Sequence, residues 1–162
     1  ADTRLPDGFV TRPGLFSADG VDPASALLAA HLPAKMPTRV VDLGAGWGWL
    51  SAQVLRHPGV EVLHLVEADH AALDCARRNV TDPRARFHWA DATTFRLPEP
   101  VNGVVMNPPF SVKSWSNGLE EGYGRFEYGR PPEKNGDYAF LLHALTSLKS
   151  EGRAAVILVS CW

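Results

Sequence analysis

Cysteine is scarce. Cys75 and Cys161 are the two in the chain, and they fit neither a disulfide framework nor a redox pair. The six histidines show no metal-ligand spacing, so no metal is expected. No apolar run approaches the ~20 residues of a membrane span, and the first residues lack the basic-then-apolar pattern of an export signal. The expectation is a soluble cytoplasmic protein with no membrane contact. Excess charge is missing too: 16 Lys and Arg stand against 18 Asp and Glu, for a net charge of −2. A chain that grips a polyanion unaided is strongly basic, so any such partner would need help from a second subunit or domain. Internal repeats and low-complexity tracts are also absent. What remains is a chain of 162 residues, 45% hydrophobic, long enough for one domain with a real core.

Residues 1–20 are rich in Gly, Pro and polar residues without sustained periodicity. They read as an extended approach with turns at Pro13-Gly14 and Asp19-Gly20. Asp22 followed by Pro23 is a helix start, the carboxylate capping and the proline filling the first helical position; the helix runs from Ala24 to Leu32. From Arg39 strands and helices alternate, the pattern of a parallel sheet covered on both faces. The strands are Arg39–Leu43, Glu61–Glu67, Ala85–Trp89, Gly103–Met106 and Arg153–Val159. The intervening helices are Trp49–Arg56, Asp69–Asn79 and Asp137–Lys149, the last stopped by Gly152. The fold class is therefore α/β, a doubly wound, Rossmann-like and mostly parallel sheet of strand order 3-2-1-4-5. A seven-stranded version would add a final antiparallel hairpin, which is not expected within these 162 residues. Along the chain the domain divides into an N-terminal approach and helix (1–37), a cofactor-binding half (38–110), a substrate loop (111–135) and a last helix and strand (136–162).

Chemistry-bearing residues recur at the ends of successive strands, where an α/β sheet opens its binding crevice. After the first strand comes Asp42-Leu43-Gly44-Ala45-Gly46-Trp47-Gly48, whose alternating glycines permit a tight turn and close approach of a ligand to the backbone. Its spacing is shorter than the dinucleotide fingerprint, and a purely structural turn is the alternative. Glu67 ends the second strand, roughly twenty residues after Gly44, where an acid can accept both hydroxyl protons of a ribose. Asp91, followed by Ala92, comes after the third strand, where its carboxylate could receive an adenine amino group; a solvated strand end or a helix cap is the other reading. After the fourth strand stands Asn107-Pro108-Pro109-Phe110. Two prolines forbid both helix and ladder, and Asn-Pro also marks ordinary turns. Here, though, the rigid backbone lets the Asn107 amide and the Pro108 carbonyl face one point beside the Phe110 ring. Such a site suits a planar ring carrying an exocyclic NH2 group.

The series resembles the class I S-adenosylmethionine-dependent methyltransferases, of the branch whose Asn-Pro-Pro-(Phe/Tyr) motif methylates exocyclic amino groups. Residues 11 to about 110, with Pro13-Gly14-Leu15-Phe16-Ser17 and Gly20-Val21-Asp22, resemble small-subunit ribosomal RNA guanine-N2 methyltransferases. From Asn107 onward, Lys113-Ser114-Trp115-Ser116-Asn117-Gly118, Tyr128-Gly129, Pro131-Pro132 and Asn135-Gly136-Asp137-Tyr138-Ala139-Phe140 resemble the modification subunit of type I restriction-modification systems, an adenine-N6 DNA methyltransferase. The sequence thus reads as a hybrid of the two.

The resemblance implies S-adenosylmethionine as cofactor. Asp42, Gly44, Gly46 and Gly48 would line its methionine and ribose part, Glu67 would bind the ribose, and Asp91 with the Ala92 backbone would hold the adenine. Phe16 could close over the cofactor, or serve as a core plug. The Asn107 side-chain oxygen and the Pro108 carbonyl would accept the protons of the target amine, whose lone pair is otherwise delocalised into its ring, while Phe110 stacks on the base. A base in a duplex would first have to leave its stack.

The segment Ser111–Asn135 exceeds ordinary loop length. It carries Trp115, Tyr123, Phe126 and Tyr128, rings able to stack on bases. Its Lys113, Arg125, Arg130 and Lys134 are balanced by Glu120, Glu121, Glu127 and Glu133, which argues against a phosphate clamp. This loop favours adenine-N6 in DNA over guanine-N2 in ribosomal RNA as the target. The alternatives are methylation of a protein glutamine amide and a non-catalytic cofactor-binding or scaffold module.

Overall fold

The computed structural model describes residues 1–98, 100–108 and 144–156. Phe110, the loop 111–135, the start of the last helix and the last residues of the final strand lie outside them. Five strands form the main sheet: β3 (Arg39–Leu43), β4 (Val62–Glu67), β5 (Ala85–Trp89), β6 (Val101–Met106) and β7 (Leu148–Val156). Their order is β5-β4-β3-β6-β7, every pairing parallel, as the alternating sequence pattern requires. Among the described residues the helices with both ends in view are α1 (Pro23–Ala30), α2 (Trp49–Val54) and α3 (His70–Asn79).

Period-two alternation divides the strands between two cores. On one face Val40, Leu63, Leu65 and Val105 pack with Leu28, Leu50, Val54 and Ala76 from the three helices and with Val80 just after α3. On the other, Val41, Leu43, Val66, Val104 and Met106 pack with Ala92 and Ala144, and with the partly buried Phe95 and Leu97. The connection from β4 to β5 thus runs over one face and that from β5 to β6 over the other. The winding reverses between β3 and β6, and the crevice of an open α/β sheet lies at such a reversal, beyond the carboxyl ends of the strands.

Two segments depart from the sequence reading. The N-terminal approach contains a small antiparallel hairpin, β1 (Thr3–Arg4) with β2 (Val10–Thr11). It carries Leu5 and Val10 into a third core beneath Trp47 and Cys75. Strands of two residues leave no periodicity to detect. At the other end, residues 144–147 are helical, but Leu148 and Lys149, expected in the helix, begin β7. Leu148 pairs with Val101, and the ladder then jumps so that Gly103 faces Arg153. The extra residues fold back at Gly152, where a Cβ would lie 2.7 Å from Leu148 Cδ2. Gly152 therefore permits a bulge inside the strand and does not stop a helix before it.

Candidate active site

The cleft opens at the carboxyl ends of β3 and β6, with α1 and the segment before it on one side. At its floor, Gly44 and Gly46 adopt φ of 76° and 57°, left-handed values that cost a side chain about 1–2 kcal/mol. A Cβ built on either would meet nothing within 4 Å, so both turn an open backbone edge outward. Gly48 is different. It also has positive φ, but its missing Cβ would stand 3.0 Å from Val80 Cγ2 and 3.2 Å from Ala76 Cα. Its bareness lets α2 pack on α3, and it does not line the cleft.

The loop is held by acids. The Gly46 N–H donates to Glu67 Oε2 at 2.8 Å and the Asp69 N–H to Glu67 Oε1 at 2.8 Å, so Glu67 ties the glycine turn to the start of α3. Asp42 is 1% exposed and accepts the Ser51 hydroxyl at 2.7 Å. Burial pushes its carboxyl up to about 7; the Ser51 bond opposes that rise, and the charge of Glu67 adds to it.

Asp91 is exposed, and its Oδ1 accepts the Thr93 N–H at 2.7 Å and the Thr93 hydroxyl at 2.6 Å. The acid closes a tight turn after β5, and the adjoining Ala92 side chain is buried in the core. Phe16 is 68% exposed at the cleft rim, which removes the core-plug alternative. Its backbone is fixed all the same, because its carbonyl accepts the Trp47 indole N–H at 3.2 Å. Phe16, Asp42, Gly44, Gly46 and Asn107 thus meet in one cleft. Glu67 reaches it through the Gly46 amide, while Asp91 and Gly48 do not line it.

Asn107 directly follows β6. Its Nδ2 donates to Asp22 Oδ2 at 2.8 Å and to Ser25 Oγ at 2.9 Å. Its Oδ1 is buried and has no hydrogen-bond partner, and among the described residues it is the one buried side-chain polar atom in that state. The amide orientation is dictated chemically, since a carboxylate cannot donate and must face the NH2 end. Pro108 is buried beside it.

Sequence reasoning missed four contributors, Asp22, Ser25, Trp47 and Asn79. Asp22 was visible as a helix cap, and its Oδ2 does accept the Ser25 N–H at 2.9 Å, but nothing local shows that the same oxygen and the Ser25 hydroxyl reach Asn107. Trp47, hidden among the glycines, is 5% exposed and meets Phe9 edge-on at 5.6 Å. Asn79 closes α3 and donates to the carbonyls of Val10 and Trp47, both at 2.8 Å, while accepting the Val10 N–H at 2.7 Å. It binds the N-terminal hairpin to the glycine turn.

Comparison with known proteins bears on the family and the fold. The chain is 29% identical over 151 residues to a ribosomal RNA small subunit methyltransferase C of Psychromonas ingrahamii, covering 90% of this chain and 37% of that one. It is 30% identical over 158 residues to the enzyme of the same name from Aeromonas hydrophila subsp. hydrophila, covering 96% and 40%. The chain therefore spans about two fifths of the length of these relatives. Among solved structures, the T. thermophilus 16S rRNA N2 G1207 methyltransferase, in complex with AdoMet and guanosine, superposes with a TM-score of 0.65 at 24% identity, over 96% of this chain and 40% of that one. That match shows a shared fold. Residues 7–119 match the methyltransferase small domain, and with the glycine turn, the tethering acid and the asparagine all inside that span, the chain belongs to the methyltransferase small domain family.

Proposed function

We propose that this domain uses S-adenosylmethionine to methylate an exocyclic amino group of a nucleic-acid base, guanine-N2 in ribosomal RNA being the favoured target. The observation that carries the reading is Asn107, with its NH2 end anchored and its oxygen buried and unpartnered beside the cleft. A buried acceptor without a donor costs about 1–3 kcal/mol, and an incoming N–H relieves that cost.

The residues fit the cofactor. Gly44 and Gly46 offer a backbone edge that any side chain would fill, Asp42 sets a carboxyl at the floor for a cationic ligand, and Glu67 keeps further lone pairs for vicinal hydroxyls. S-adenosylmethionine, when bound, supplies a methyl group on a sulfonium leaving group. The protein's own part is positional. Asn107 Oδ1 accepts a hydrogen bond from one amine N–H, which draws the nitrogen lone pair out of conjugation and stabilises the polarity that develops on it. The rigid Pro108 holds that oxygen in place, so little reorganisation is needed. Phe110 as a stacking plate, the Pro108 carbonyl as second acceptor, and Asp91 with Ala92 as the adenine contact complete the reading.

The ribosomal target is favoured over adenine in DNA because the similarity to ribosomal RNA enzymes runs through 90–96% of the chain. The reading of a DNA-type second half rests on residues from Asn107 on. A net charge of −2 gives little hold on RNA, so a further domain or subunit presents the substrate, in the cytoplasm where ribosomes are made. Incubating the purified chain and labelled cofactor with separate ribosomal RNA and DNA pools, followed by nucleoside mass spectrometry, tests this. N2-methylguanosine is the expected product. N6-methyladenine from the DNA pool alone would transfer the target to the second half, and labelled protein glutamine would remove nucleic acid altogether.

A further inference from the structure

The geometry points to Asp22 and Ser25 as positioning residues that lock the Asn107 amide with its oxygen toward the substrate. The inference rests on the reading of Asn107 as acceptor for the amine. An asparagine amide is nearly symmetric in shape, and a half-turn about its last torsion exchanges an acceptor for a donor. Flipped, Asn107 would present N–H groups to an amine that also presents N–H groups. The site would then repel the atoms it must hold.

Two contacts oppose the flip. Asp22 Oδ2 lies 2.8 Å and Ser25 Oγ 2.9 Å from Nδ2, and both belong to the first turn of α1 or its cap. The Ser25 hydroxyl could adapt to either orientation, since it both donates and accepts. The carboxylate could not, because turning the amide would aim Oδ1 at a negative oxygen. Asp22 therefore fixes the polarity and Ser25 supports it. The site is thereby restricted to substrates that offer a proton, such as an amino group, and rejects a carbonyl or ring nitrogen at the same place. Oδ1 is buried without a partner, so the selection occurs where water cannot compensate.

The test separates positioning from helix capping. Glycine at the cap position costs a helix only a few tenths of a kcal/mol, so Asp22→Gly keeps the fold while removing the clamp. Combined with Ser25→Ala it should lower kcat by ~10-fold or more while KM and cofactor Kd stay within a few fold. Asp22→Asn, whose amide oxygen can accept both bonds, should recover most of the loss. In an Asn107→Ala background the Asp22→Gly, Ser25→Ala pair should cause no further fall, since the residue it orients is gone. Independently of turnover, the Asn107 side-chain NH2 signals in a 15N spectrum, identified by their loss in Asn107→Ala, should exchange slowly in the parent and fast in the double variant. An equal fall in the Asn107→Ala background, an unchanged kcat, or unchanged NH2 exchange would overturn the proposal. If the NH2 signals respond as expected while the parent transfers no methyl group, the clamp stands and the methyltransferase reading of Asn107 is what fails.

Discussion

Glu67 Oε2 accepts the backbone N–H of Gly46 at 2.8 Å, so the acid at the end of β4 shapes the glycine turn after β3 before any ligand arrives. Its other oxygen accepts the Asp69 N–H, and a glutamine can offer an oxygen to only one of these donors. Glu67→Gln should therefore leave one N–H facing an NH2, lowering stability by roughly 1–3 kcal/mol and weakening S-adenosylmethionine binding by about tenfold or more. Urea denaturation and titration calorimetry measure the two effects. Unchanged values in both would mean that the turn forms without the acid.

The glycines separate into two roles. Gly46→Arg should abolish cofactor binding, because the side chain would leave a left-handed backbone into the open cleft. Gly48→Ala should instead lower the melting temperature, since its Cβ would press on Ala76 and Val80 in the packing of α2 on α3. Binding by the folded fraction of that variant should be largely retained. Thermal scans with and without cofactor distinguish the two, and a Gly46→Arg protein with parental affinity would refute the loop assignment.

Asn107 is predicted to act on the reacting group more than on the cofactor. Asn107→Ala should leave cofactor affinity within a few fold while reducing turnover by ~10²-fold or more, the scale of one lost oxyanion-type contact. Turnover close to the parent's would reduce the residue to a strand-ending turn.

Asp42 makes stability depend on pH. Its folded value of about 7 lies above the ordinary 3.8, chiefly through burial, so the folded state holds the proton more tightly than the unfolded chain. The contribution is fully present below the unfolded value and is lost as pH rises through the folded one, a difference of roughly 4 kcal/mol across the window. Asp42→Asn, which can still accept from Ser51, should gain stability relative to the parent as pH rises from about 4 to 7. A constant difference between the two denaturation curves across that range would show that Asp42 does not titrate there.

The parallel sheet and its order were legible because β3, β4 and β6 are short, largely apolar runs that alternate with helical segments, and the crevice positions followed from strand ends. Asp42, Gly44, Gly46 and Asn107 stand at those ends and line one cleft. Gly48 was expected beside them because spacing cannot tell a glycine that admits a ligand from one that admits a helix. The hairpin at Thr3–Arg4 and Val10–Thr11 was illegible, as was the bulge at Gly152, since both are fixed by distant partners and not by local pattern. The Asp22 to Asn107 contact was hidden for the same reason: each residue has a sufficient local explanation, one as a cap and the other as a turn.

That contact also sets an order of events. Asp22 and Asn107 are 85 residues apart, whereas the bond from the Ser25 N–H to Asp22 spans three. The short loop closes at little entropic cost and the long one does not, so α1 can be capped in a chain whose β6 has not yet joined β3. The expectation is that the cleft is completed only with that docking, and that partly folded chains carry the cap without a polarised acceptor. In pulsed hydrogen exchange during refolding, the Ser25 amide should gain protection before the amides of β6 do; the reverse order would mean that the sheet forms first and recruits the helix.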